Sequence, residues 1–215
     1  AWLTAASEPV LAATFTVLVA NDAGPGSLSE AMASANAAAG ADTIVFALPT
    51  GTLTLQPLSP LPFLTDPVTL DGATQAGFSN RPIVELNGAL AGPNANGLWI
   101  VTSNCLIRSL IVNGFAESGI VITSAVAQAN QIAGCYAGLG RGGTNVVPNG
   151  YEGVDIYGGA KNNLVGGTNA ADANVISGNA YDGVDIGGAG TTGNRVVGNF
   201  IGTDYTGTTV VSNYY

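Results

Sequence analysis

The chain has 215 residues, enough to bury a core of its own. Hydrophobic residues make up 47% and charged residues only 9%, the reverse of the balance that keeps a chain disordered. Five Lys and Arg against fourteen Asp and Glu make nucleic acid and anionic membranes poor partners, and the lack of His removes imidazole chemistry and the commonest zinc ligand.

Residues 1–13 form an Ala-rich extension broken by Ser7, Glu8 and Pro9, without the basic stretch of a signal peptide. Thr14 to Ala20 is β-branched and apolar and predicts a strand. After the turn cluster Asn21-Asp-Ala-Gly-Pro-Gly, one helix is expected over 27–39. Ser27 is its N-cap, Glu30 completes a capping box, Leu28, Ala31, Met32 and Ala35 make its apolar stripe, and Gly40 stops it. Beyond Gly40 the helical period never returns. Short strands are expected at 43–47, 53–56, 68–70, 83–86, 98–101, 105–112, 119–122, 130–134, 154–156, 163–165, 174–176, 184–186 and 194–201, between Gly, Pro and Asn corners. No run of about 18 apolar residues exists, so no membrane insertion is expected.

From residue 116 onward the chain repeats itself. Residues 119–151 shifted by 64 fall on 183–215, so that Gly119 meets Gly183, Asn130 meets Asn194, Gly143 meets Gly207 and Tyr151 meets Tyr215. Tyr151-Glu-Gly-Val-Asp-Ile also recurs 30 residues later as Tyr181-Asp-Gly-Val-Asp-Ile. Such self-similarity marks a solenoid. The pattern predicts an all-β fold, a right-handed single-stranded parallel β-helix over 14–215 with a short N-terminal capping helix. Asn104, Asn130, Asn163 and Asn194 are expected to stack as a corner ladder. Cys105 and Cys135 stand at different offsets from Asn104 and Asn130. A disulfide across the coils and two buried free thiols both remain open, the second being simpler.

Asn21-Asp-Ala-Gly-Pro-Gly-Ser-Leu-Ser-Glu-Ala-Met, Asn174-Val-Ile-Ser-Gly-Asn and Gly198-Asn-Phe-Ile-Gly-Thr-Asp-Tyr-Thr-Gly-Thr resemble the N-terminal region and repeats of large secreted or cell-surface bacterial right-handed β-helix proteins. The resemblance runs from Thr14 to the last residue. It implies the fold and an extracellular or cell-surface location, but no activity.

Asp155 and Asp185 alternate with Val and Ile that point inward, so they should face outward on neighbouring coils about 5 Å apart. That spacing suits the carboxylate pair of a retaining glycosidase, and with Glu152 and Asp182 it also suits a shared Ca²⁺. Two solvated carboxylates are the plainer alternative. Polysaccharide-cleaving β-helix enzymes would need a basic residue nearby, for which Lys161 and Arg195 are the candidates, although their spacing does not place them. Tyr151, Tyr181, Tyr205, Tyr214 and Tyr215 are candidates for a carbohydrate-stacking strip, with a corner ladder or a contact with a neighbouring subunit the alternatives for Tyr151, Tyr181 and Tyr215. The expected function is a non-enzymatic, secreted structural protein that associates with itself head to tail, without a cofactor. Tyr214, Tyr215, Val210, Val211, Trp2 and Leu3 are the candidate contact residues, and a polysaccharide-binding or polysaccharide-cleaving module is the alternative.

Overall fold

A computed structural model describes residues 11–215 and shows a β-solenoid of about six turns. The chain opens with β1 (Thr14–Val17), α1 (Leu28–Ala37), β2 (Asp42–Phe46) and β3 (Thr54–Leu55). Two three-stranded coils follow: β4 (Val68–Asp71), β5 (Val84–Asn87) and β6 (Leu98–Ile100), then β7 (Leu106–Arg108), β8 (Leu110–Asn113) and β9 (Ile120–Thr123). Two more are formed by β10 (Gln131–Ala133), β11 (Tyr136–Ala137) and β12 (Val154–Tyr157), and by β13 (Leu164–Gly166), β14 (Val175–Ile176) and β15 (Val184–Ile186). The last coil contributes β16 (Arg195–Val197) and β17 (Phe200–Ile201). Every strand-to-strand ladder is parallel. The first face runs β1-β2-β4-β7-β10-β13-β16, the second β3-β5-β8-β11-β14-β17 and the third β6-β9-β12-β15. On the first face Gln131 pairs with Leu164 and Leu164 with Arg195, steps of 33 and 31 residues, so two coils make the 64-residue period.

Alternation places one residue in two on the inside of each face. The inward ladders are Ile44-Leu70-Ile107-Ile132-Val165, Leu55-Leu86-Val112-Ala137-Ile176 and Ile100-Ile122-Ile156, all buried in one continuous core. Full burial of a Leu or Ile contributes about 1.5–3 kcal/mol, so these three columns are a large share of the hydrophobic stabilisation.

The corners are polar and are held by asparagine ladders, one at each corner. Between the third and first faces Asn163 Oδ1 accepts from the backbone N–H and Nδ2 of Asn130 at 2.9 Å, and Asn194 Oδ1 does the same for Asn163. Asn174 and Asn199 repeat the arrangement between the first and second faces, and Asn149, Asn179 and Asn213 between the second and third. Asn104 stands outside the ladder expected to contain it: it adopts a left-handed φ of 60° and its side chain reaches Ser103. Cys105 takes the ladder slot, its N–H donating to Asn130 Oδ1, and Cys135 heads the second ladder against Asn174 in the same way. Their different offsets from the neighbouring asparagines follow from their different corners. Both thiols are free and buried.

Two expected strands are each divided. Residues 105–112 break at Ser109, with φ 57°, and 194–201 break at Gly198, with φ 69°, because the turn from the first face to the second needs one left-handed residue. Strand β11 and two small hairpins were not foreseen. Antiparallel bridges Leu139–Val146 and Thr203–Val210 close these hairpins 64 residues apart, with Gly143 and Gly207 at positive φ in matching places. The hairpins cover the outer side of the second face, so Ile111, Tyr136 and Val175 are buried with Leu139 in a second, smaller core.

Helix α1 closes the first coils. Ser27 Oγ accepts from the Glu30 N–H at 3.2 Å, and Glu30 reaches back to the Gly26 N–H. Leu28, Ala31, Met32 and Ala35 are its buried side, packed into the main core beside β1 and β2. Asn36 fastens its far end, donating to Phe63 O and accepting from the Thr65 N–H. Among the described residues no helix is long and apolar enough to cross a membrane.

Candidate functional site

The outer side of the third face carries the predicted carboxylates. Asp155 pairs with Asp185 in register, below Val121 and Trp99 in the same outward row. Glu152 and Asp182 precede them by three residues on the same two coils. Asp155 is half-buried. Burial pushes its carboxyl up to about 7, and the charges of Glu152 and Asp185 push in the same direction. Asp185 is exposed. Glu152 is engaged by Ser118 Oγ at 2.7 Å. Tyr157 lies two residues beyond Asp155 on the same face; burial raises its hydroxyl, and Asp155 adds to the rise. Glycoside cleavage uses a carboxyl held protonated near neutral pH, the direction in which burial pushes Asp155. Among the described residues, however, no three acidic or thiol side chains gather closely enough to hold a metal ion. Glu152 and Asp155 lie on one coil, and Asp182 and Asp185 on the next. Neither Lys161 nor Arg195 is among the charges that set the Asp155 carboxyl: Lys161 lies in the bridge row at the third-to-first corner and Arg195 on the first face.

The tyrosines form a corner ladder. Ring centroids of Tyr151 and Tyr181 lie 6.0 Å apart, those of Tyr181 and Tyr215 4.7 Å, and Tyr214 meets Tyr215 edge-on at 5.1 Å. Val210 and Val211 sit apart from them, at the second hairpin, with Val210 exposed and Val211 packed on the smaller core. Trp2 and Leu3 lie outside the described residues, as do the first ten residues of the extension.

On the last described coil further apolar side chains are exposed. Ile186, Val196 and Ile201 are the next members of the three inward ladders, and they are 39%, 40% and 44% exposed. Their counterparts one coil earlier, Ile156, Val165 and Ile176, are at 0–1%. Inward alternation in the sequence carries this signal, because Ile186 aligns with Ile122 and Ile201 with Ala137 in the 64-residue repeat.

Comparison of the chain with protein-family models, with curated proteins and with solved structures finds no match in any of the three.

Proposed function

We propose that this chain is a non-enzymatic extracellular structural protein, akin to the secreted bacterial β-helix repeat proteins, that associates with a second copy of itself through its last coil. The observation that carries this reading is the repetition of the coil: successive coils present the same three apolar ladders between asparagine corners, so the face that carries Ile186, Val196 and Ile201 matches another coil of the same kind. A head-to-tail contact of this kind would use the flank of α1. Light scattering and negative-stain microscopy test this directly. The wild-type chain should form oligomers or filaments, and Val196→Lys with Ile201→Lys should yield monomers with an unchanged circular dichroism spectrum. A wild-type chain that stays monomeric at high concentration, or a double variant that assembles as well, would overturn the reading.

The raised Asp155 carboxyl favours a second reading, polysaccharide cleavage on the third face. Turnover that survives Asp155→Asn and Asp185→Asn in full sinks it.

A further inference from the structure

A different flank of the molecule carries a site that neither reading uses. Where the first face turns into the second, the loop 77–82, the loop 167–173 and the second hairpin surround an open pocket of ≈200 Å³. Two of the chain's five cations, Arg81 and Arg108, line it, together with Phe78, Ser109, Tyr136 and Tyr205. Among the described residues no Asp or Glu lines it, although the chain has fourteen. The exposed Arg81 guanidinium lies 4.5 Å above the Tyr205 ring and makes no ion pair among the described residues. Arg108 meets Asp71 only through Nε, at 3.4 Å. A smaller opening shares Arg108 and Ala171 with this pocket, and shares Gln131 and Asp172 with a wider groove of ≈440 Å³ that ends at Arg195. The three openings form one track along the first face, with Arg81, Arg108 and Arg195 spaced along it and Asp172 as its one carboxylate.

We propose that this track binds a linear acidic polysaccharide whose sugar rings carry carboxylates, with Arg81 and Arg108 taking one uronate in the pocket and Arg195 a later one along the groove. The pocket is smaller than the ~300–1,000 Å³ of a drug-sized ligand site, which suits one ring at a time. Guanidinium groups match a carboxylate in geometry and charge. The apolar edge of Phe78 suits the C–H face of a sugar. The Ser109, Gln131, Thr168 and Asn169 side chains supply neutral donors and acceptors for ring hydroxyls. A net charge of −9 disfavours a densely charged polyanion approaching from a distance, whereas a uronate chain with one charge per ring is held by local contacts.

Isothermal titration calorimetry with a hexamer of 1,4-linked galacturonate tests the proposal, with the fully methyl-esterified hexamer as the uncharged control and a glutamate hexapeptide as the competing class. The uronate should bind saturably, the ester should not, and added NaCl should weaken the uronate. Arg81→Gln, a surface change away from the last coil's inward residues, should weaken uronate binding about tenfold or more, the loss of one charge-assisted contact. Arg141→Gln, whose side chain bonds Thr54 and Glu85 outside the pocket, should leave it unchanged. Absence of saturable uronate binding, equal binding of the ester or of the peptide, or full affinity in Arg81→Gln would overturn it. Self-association is read separately, by light scattering on the same variant, so either idea can fail alone.

Discussion

Asn163 is the position where the corner ladders can be tested most sharply. It is 1% exposed and makes four side-chain hydrogen bonds: its Oδ1 accepts from the N–H and Nδ2 of Asn130, and its Nδ2 donates to Ala127 O and Asn194 Oδ1. In Asn163→Ala the Asn130 N–H loses its acceptor deep inside the stack, whereas Ala127 O keeps the Lys161 N–H and Asn130 Nδ2 keeps Thr102 O. One stranded N–H costs ~1–3 kcal/mol, and each further lost bond costs ~0.5–1.5 kcal/mol net. Allowing for non-additivity within one network, the expected loss is about 3–5 kcal/mol, a large part of the ~5–15 kcal/mol typical of a domain. For a chain of this size that corresponds to roughly 6–20 °C in Tm. Asn194→Ala makes the same chemical change in the last coil, where the site is half-buried and water can replace the amide, and should cost about 1 kcal/mol or less. Urea unfolding followed by circular dichroism measures both. A loss below about 1 kcal/mol in Asn163→Ala, or equal losses in the two variants, would refute the claim that the buried ladder, rather than the strands alone, fixes the coil spacing.

Three further outcomes follow from named contacts. Burial pushes the Cys105 thiol up to about 11 and the Cys135 thiol up to about 12, so at pH 8 about one in a thousand or fewer is thiolate. A thiol reagent at pH 8 should therefore label neither residue in the folded protein and both in urea, and prompt labelling without denaturant would contradict this burial. The Asp155 carboxyl, held at about 7 in the fold against ~3.9 in an unfolded chain, is stabilising while protonated; that contribution is complete below about pH 4 and is lost as pH rises through 7. Urea midpoints of the wild type should fall across that window more steeply than those of Asp155→Asn, and parallel curves would show that Asp155 does not titrate as described. Ser27→Ala removes the side-chain acceptor of the Glu30 N–H and should cost about 1 kcal/mol, while Ser27→Gly should cost only a few tenths.

Strands β2, β4, β12 and β15, the register of Val154 on Val184 and Ile156 on Ile186, and the buried stripe of α1 were all legible, because each depends on local alternation or helical period. What escaped was set by contacts across coils. Asn104 has the right residue type for a corner but lies one position before the slot, and only pairing with Asn130 reveals that Cys105 occupies it. Ser109 divides the stretch 105–112 because the solenoid must turn there, and its left-handed φ of 57° is not announced by local propensity. The outer side of the second face reads as surface in Ile111, Tyr136 and Val175 taken singly, yet the hairpins fold back and cover it. Of the site residues, the Asp155–Asp185 pairing followed from the repeat, whereas Arg81 meets Tyr205 across 124 positions that no periodicity links.

The first and the last described coils pose different chemical problems, and that difference constrains what can pack on each. At the first coils a helix suffices, because Leu28, Ala31, Met32 and Ala35 meet an apolar surface and Asn36 satisfies Phe63 and Thr65. At the last coil the inward residues Ile186, Val196 and Ile201 are joined by polar groups at each corner. The backbone N–H groups of Asn194, Asn199 and Asn213 have no acceptor among the described residues, whereas those of Asn163, Asn174 and Asn179 one coil earlier each donate to the next asparagine Oδ1. An apolar helix laid there would bury three unsatisfied donors at ~1–3 kcal/mol each, cancelling much of what the three apolar side chains contribute. A β-coil with the same three-cornered outline and an acceptor at each corner satisfies both requirements together. The apolar patch and the asparagine donors at its corners together fit another β-coil better than any other apolar surface, whether that coil belongs to the same polypeptide or to a second copy.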